Sequence, residues 1–478
     1  MLRSSFFDKI RTATEREMVV SLIDDTSVSG VQMLHAADRI AGYLTELGAG
    51  PQSRVLAVLP NGLALLMLYV SCLRHRFIVC PVSPDSPKQD VDYICSVYRP
   101  DVIVDPVALA ACLRRSLEEA PVALSHPEGV VYDERDFFSV NFTSGTTGRP
   151  KGVAHFAERI LDNAQSFNSR LGCTENQRMM HAMPMYYMAG LLNTILCPIM
   201  AGGAIIVAPA LLPRTALSFW RQFVDNRATA FWLSPTMLRM VMKLDRTKDS
   251  KSYAAAALQH AFVGTAPMSP ALGQEFLDSY RVRPLQSYGL SELLLVSCDE
   301  TGSGDLGGVG MALSGISIRL AQDQELEILT PYLFAGYLDP ETGAIDFADR
   351  RQPFKSGDLA EIDAQSRLRI TGRKKDLIVV GGINVSPAAI EERLQSIEGV
   401  TEIAVVGESD DIYGEVPVAF VQMESTAIEA EVIEKLRAGA RDGLPMASRP
   451  ARFYTVDKMP TGPTGKVQKR LLNRPATS

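Results

Sequence analysis

The stretch Thr143-Ser144-Gly145-Thr146-Thr147-Gly148-Arg149-Pro150-Lys151-Gly152 concentrates residue types that can hold a polyphosphate. A largely apolar run over 137–142 leads into it like a strand. Its glycines allow the backbone to turn tightly and aim N–H groups at an anion. The hydroxyls of Thr143, Ser144, Thr146 and Thr147 add donors, and Lys151 adds a positive charge. A departing polyphosphate carries several negative charges, so a site that expels one must supply groups of this kind. This is not a Walker A loop, because Arg-Pro-Lys follows Gly148 where Lys and a hydroxyl residue are required. A polar surface linker is the plainer reading. A linker, however, has no need of the leading strand, the glycine spacing and the lysine together.

Further clusters follow in order. Ser287-Tyr288-Gly289-Leu290-Ser291-Glu292 sets an aromatic face, a hydroxyl and a carboxylate side by side. These suit a base, a phosphate and a hard cation respectively. Val263-Gly264-Thr265-Ala266-Pro267, Lys355-Ser356-Gly357-Asp358-Leu359 and Gly372-Arg373-Lys374-Lys375-Asp376 would each pass alone for a turn or a solvated charge run. Gly381-Gly382-Ile383-Asn384-Val385-Ser386-Pro387 opens a helix, with Ser386 at the cap and Pro387 in the first turn. Pro460-Thr461-Gly462-Pro463-Thr464-Gly465-Lys466-Val467-Gln468-Lys469 is the last cluster.

The elements that must position these residues alternate between strand and helix. Strand-like runs fall at 55–59, 77–82, 102–104, 204–207 and 230–233, with amphipathic helical stretches at 32–47 and 216–226. This alternation predicts α/β layers with largely parallel sheets. From about residue 326 short strands and turns take over, including Gly336-Tyr337. A final α+β segment holds helices near 387–396 and 427–442 and strands at 403–406 and 418–423. The charge cluster at 374–376, flanked by glycine, suits a hinge between the two parts.

Composition narrows the function. With 478 residues, of which 46% are hydrophobic and 22% charged, the chain is an ordinary globular one, long enough for several domains. A net charge of −7 argues against a nucleic-acid partner. The seven cysteines form no CxxC pair and read as reduced thiols of a cytoplasmic protein. The scattered histidines give no zinc pattern, and the N-terminal residues lack a signal peptide's apolar core. The nearest apolar run, 195–212, is broken by prolines and glycines, so no membrane span is expected.

Taken together and in this order, the motifs resemble those of the ANL superfamily of adenylating enzymes. That superfamily includes acyl- and aryl-CoA synthetases, peptide-synthetase adenylation domains and firefly luciferase. The resemblance covers nearly the whole chain. It implies a large N-terminal domain of layered α/β subdomains with a small β-rich subdomain (1–374). It further implies a small mobile α+β lid (375–478) that pivots on Lys375. It also implies ATP, Mg²⁺ and a thiol acceptor, coenzyme A or the phosphopantetheine of a carrier protein. By the same analogy residues 143–148 and Lys151 bind phosphates, and Gly264, Thr265 and Ala266 wall the adenine. Ser287 and Tyr288 continue that wall, with Tyr288 stacking on the base. Ser291 bonds the α-phosphate and Glu292 helps hold Mg²⁺. Asp358 accepts from the ribose hydroxyls, Arg373 reaches ribose or phosphates, and Lys466 is the catalytic lysine. The acid pocket draws on Tyr186, Tyr187, Phe231, Trp232, Ser234, Val263, Gly264, Gly289 and Leu290.

The predicted reaction is activation of a small carboxylic acid, aryl or medium acyl, to an acyl-AMP, followed by transfer to coenzyme A. No acidic residue lies between His181 and Gly202, which argues against an amino-acid substrate. Tyr187 stands where many relatives carry His. Two alternatives stay open: a stand-alone enzyme that loads a carrier protein, and an inactive nucleotide sensor or scaffold. Loss of Lys151, Glu292 or Lys466 would favour the sensor, and all three are present.

Overall fold

The computed structural model describes residues 5–119, 130–143, 149–300, 306–462 and 466–472. The expected phosphate-loop residues Ser144, Gly145, Thr146, Thr147 and Gly148 lie outside them.

Apolar runs rich in β-branched residues become strands where they can be covered on both faces. Arg54–Val58 pairs in parallel with Ile78–Val82 and with Val102–Ile103. Phe137–Thr143 joins Ile78–Val82 in parallel, and Lys151–Phe156 then returns antiparallel to it. Gly336–Leu338 and Ile345–Phe347 complete this seven-stranded sheet. A nine-stranded sheet lies beside it. Its interior strands Ala204–Val207, Arg178–His181, Ala230–Leu233, His260–Val263 and Pro284–Leu290 run parallel, and antiparallel pairs close both edges. The leucine-rich helix Leu63–His75 is buried on nearly every side, and one apolar core takes in both sheets. The phosphate-loop strand and the strand carrying Ser287 to Leu290 each end at a carboxyl edge, where open α/β sheets bind ligands.

A smaller antiparallel sheet follows, built from Ser317–Leu320, Glu325–Leu329, Phe354–Ile362 and Leu368–Arg373. Beyond a single turn at Lys374–Asp376 the chain enters the small domain. There Ile378–Val380 and Ile383–Val385 form a hairpin whose turn residues, Gly381 and Gly382, have φ of +56° and +85°. Only glycine adopts that pair of angles readily. The strands Val400–Asp410, Gly414–Met423 and Arg452–Thr455 complete the sheet. The helices Pro387–Leu394 and Glu429–Gly443 seal it with Ile390, Leu394, Val432 and Leu436.

Two local expectations need correction. The helix expected over 216–226 is two short helices, Pro213–Ala216 and Phe219–Asp225. Ser218 Oγ bonds the carbonyl of Thr215 between them, a local side-chain bond that competes with the helical ladder. Ser386 stands at the cap position, but its hydroxyl donates to the carbonyl of Thr371 instead of capping.

Candidate active site

Strand register creates the first part of the site. Asp358 pairs opposite Arg373 on adjacent antiparallel strands. Arg373 Nε lies 2.8 Å from one carboxylate oxygen of Asp358. The Tyr288 hydroxyl donates to the other at 2.7 Å. Asp358 is only 3% exposed, and these two partners satisfy its carboxylate in place of water. Burial, then Asp358 itself, pushes the Tyr288 phenol well above its usual range and keeps it a donor.

A second group forms around Tyr337. Its hydroxyl donates to Glu292 Oε1 at 2.7 Å, and Lys151 Nζ sits 5.3 Å from its ring centre. One tyrosine thus contacts both the loop lysine and the expected metal-binding carboxylate. Beneath them the buried His155 ring contacts the Ser291 backbone. Burial and then Arg159 hold its pKa down to about 3, so it stays neutral at ordinary pH.

The small domain contributes Lys466. Its loop is closed by a bridge between Thr461 and Val467 and by the Gly462 N–H bonding the Lys466 carbonyl at 2.8 Å. Lys469 anchors the loop's end on Glu391 at 2.6 Å. Lys466 is exposed as a residue and lines the crevice, where neighbouring atoms partly desolvate its ammonium. That desolvation, with the Arg373 guanidinium nearby, lowers its pKa. Close by, the exposed Lys374 is paired with Asp323 at 2.6 Å and Glu325 at 2.9 Å, and Lys375, also exposed, has no ion pair among the described residues. Away from the crevice the domains touch through Lys243–Glu424 at 3.1 Å, with both side chains about half exposed.

Thr143, Lys151, Ser291, Glu292, Arg373 and Lys466 all line one crevice of about 540 Å³. Its lining also includes Leu192, Leu290, Leu294 and Leu295, with Tyr187 and Asn193. A π-helix, Ala189–Leu196, forms part of this wall, and such turns commonly mark functional positions. Ser287, Gly289 and Thr265 also reach the crevice. Thr265 holds φ of +69°, a conformation costly for a β-branched residue. Gly264 has no room for a side chain, since a Cβ there would lie 2.5 Å from Ser287 Oγ and 3.0 Å from Trp232 Nε1. Ala266 is half-buried on the same turn.

Several expected site residues do not line the crevice. Asp358 and Tyr288 lie behind its wall, with the two carboxylate oxygens of Asp358 engaged by Arg373 and Tyr288. Phe231 is fully buried among Phe219, Trp220, Phe223 and Phe276. Trp232 packs between Phe167 and Phe262. Ser234 caps the helix Pro235–Lys243, and Val263 is enclosed in the sheet. Tyr186 packs on Tyr187 and bonds Ser83. Conversely, Tyr337, Glu325 and Asn193 join the site without any motif to announce them. Gly336-Tyr337 read only as a turn.

A family model described as AMP-binding enzyme matches residues 6–338, and one described as AMP-binding enzyme C-terminal domain matches 389–466. The chain is 26% identical to a long-chain-fatty-acid–CoA ligase of Mycobacterium tuberculosis, over 94% of this chain and 93% of that protein. It is 28% identical to a 2-succinylbenzoate–CoA ligase of Listeria monocytogenes, over 92% and 93%. The crystal structure of ATP-bound MatB from Rhodopseudomonas palustris superposes with a TM-score of 0.84 at 25% identity, over 98% of both chains.

Proposed function

The chain belongs to the AMP-binding enzyme family and is an acid–thiol ligase, and on that premise we propose that it joins an aryl or medium acyl acid to coenzyme A through an acyl-adenylate. The observation that carries this reading is the convergence of Lys151, Ser291, Glu292 and Arg373 from the large domain with Lys466 from the small one.

The chemistry needs such a site. A carboxylate is a poor acyl donor because its oxide leaving group is prohibitive. In the first step a carboxylate oxygen attacks the α-phosphorus of ATP. The bond to the bridging oxygen breaks, and pyrophosphate leaves. Lys466 offsets the charge that would otherwise set carboxylate and phosphate against each other. Ser291 donates to the α-phosphate, while Lys151 and residues 143–148 hold the departing phosphates. Asp358 accepts from the ribose hydroxyls once they take the place of its present partners, and Tyr288 then packs along the base. In the second step the thiol sulfur attacks the acyl carbon, AMP leaves, and the thiol proton passes to solvent. Positioning two reactants in line can supply about 7–11 kcal/mol of the barrier.

Mg²⁺ would neutralise polyphosphate charge. Glu292 fits a role in holding it, because Tyr337 occupies one carboxylate oxygen and orients the other in the crevice. The division at residues 374 and 375, with Lys375 as pivot, is part of the proposal. It is supported by the doubly paired Lys374 beside Lys375, which has no ion pair among the described residues. The lid then turns between steps, withdrawing Lys466 and bringing the Gly381-Gly382 hairpin inward.

The test is pyrophosphate release from ATP across a panel of aryl and acyl acids. Acid-dependent release is expected, with thioester formation on coenzyme A. Release without any dependence on acid, or thioester formed only on a phosphopantetheinylated carrier protein, would overturn the assignment.

A further inference from the structure

The crevice wall built by the π-helix holds two polar side chains that the chemistry above leaves idle. Asn193 is 6% exposed and lines the crevice from the π-helix. Its carboxamide has no hydrogen-bond partner among the described residues. The neighbouring Thr194 is the opposite case: its hydroxyl donates to the Gly190 carbonyl at 2.8 Å and contacts His181. Tyr187, at the start of the same wall, also lines the crevice, and its hydroxyl has no partner among the described residues. Burial, then Tyr186, pushes that phenol up to about 12, so it remains a neutral donor.

The Asn193 carboxamide opens on the crevice, so an apolar ligand seated against it would displace its water and leave the amide unpaired, at a cost of about 1–3 kcal/mol that a leucine or valine in the same wall would not incur. A ligand that supplies the bonds avoids that cost. An amide and a phenol both donate and accept, yet neither carries charge. They match a hydroxyl or carbonyl group better than a second carboxylate, which would call for a cation. The leucines around them match the carbon skeleton that carries such a group.

We infer that Asn193, seconded by Tyr187, selects acids that carry a neutral hydrogen-bonding substituent, hydroxyl or keto, on their carbon skeleton. This rests on the ligase reading above. A site built to bond such a group rejects the analogue that lacks it, because its own polar atoms are then stranded.

Matched acids test the inference in the full-length enzyme. The pairs are para-hydroxybenzoate with para-toluate, para-hydroxycinnamate with para-methylcinnamate, and ω-hydroxyhexanoate with heptanoate. The readout is kcat/KM for acid-dependent pyrophosphate release. The wild type is expected to favour the hydroxy member of at least one pair by about tenfold or more. Asn193→Leu is expected to bring that ratio close to one, with Tyr187→Phe lowering it less. Preference for the methyl member in every pair overturns the inference, and needs no variant to be folded. So does a wild-type ratio that survives both substitutions in enzymes that still show an ATP-induced thermal shift. Wild-type enzyme that releases no pyrophosphate with any acid overturns the ligase reading itself.

Discussion

Asp358 on the large domain is buried and gripped from two sides, by the Tyr288 hydroxyl and the Arg373 guanidinium. Lys466 on the small domain is itself exposed, and its surroundings are held by one isolated bridge and the Lys469–Glu391 pair. The two contacts also differ in reach. Asp358 is locked by strand register, whereas Lys466 meets the crevice only while the domains stand as they do. On the proposed mechanism the nucleotide must be held through both steps, and the lysine is needed in one. The rigid mounting therefore falls on the group that stays and the loose mounting on the group that leaves.

Breaking the loose side should have the largest effect. Lys466→Ala is expected to slow acyl-adenylate formation by about 10²–10³-fold. Single-turnover transfer from a preformed acyl-adenylate to coenzyme A should proceed at the wild-type rate. Equal loss in both steps would erase the contrast. On the pinned side, Asp358→Asn removes charge-assisted hydrogen bonds of about 1.5–3 kcal/mol. The KM for ATP should rise roughly 10–100-fold, and transfer from the adenylate should weaken as well. Tyr337→Phe should lower kcat for adenylation by about tenfold, because Glu292 loses the donor that orients it.

A smaller effect comes from pH. The lysine must be charged, the charged form exists below its pKa, and that pKa is lowered. Adenylation should therefore decline on the alkaline side before an ordinary lysine would titrate, while thiol transfer lacks this limb. A limb shared by both steps would count against the assignment. The smallest effect is expected at the rim. Glu424→Ala breaks the exposed pair with Lys243 and should alter the balance of the two steps by under about 1 kcal/mol, an effect that vanishes in high salt.

How much of this was legible in the sequence depended on the range of the interactions. Runs such as 55–59 and 204–207 read as strands because a continuous apolar stretch is a local signal, and strands lie there. The motif residues Lys151, Ser291, Glu292, Arg373 and Lys466 were legible as a set, and they line one crevice. Phe231 was harder to read. All four residues of Ala230–Leu233 are buried, so alternation gives no hint of which face meets a pocket. Tyr337 was illegible because its partner Glu292 lies 45 residues away, beyond any periodicity. The split at Ser218 was hidden because a side-chain bond to Thr215 does not disturb the apolar pattern.

The double grip on Lys374 by Asp323 and Glu325 has a mechanical consequence. On the proposed hinge at Lys375, it holds the chain immediately before the pivot, so a swing of the lid would start from a single fulcrum. Points near a fulcrum travel short arcs and distant points long ones. Leu377 would barely move, while the tip bearing Lys466 would sweep far enough to clear a path for the incoming thiol. Freeing Lys374 would blur the fulcrum over several residues, and the tip would then return to a spread of places instead of one.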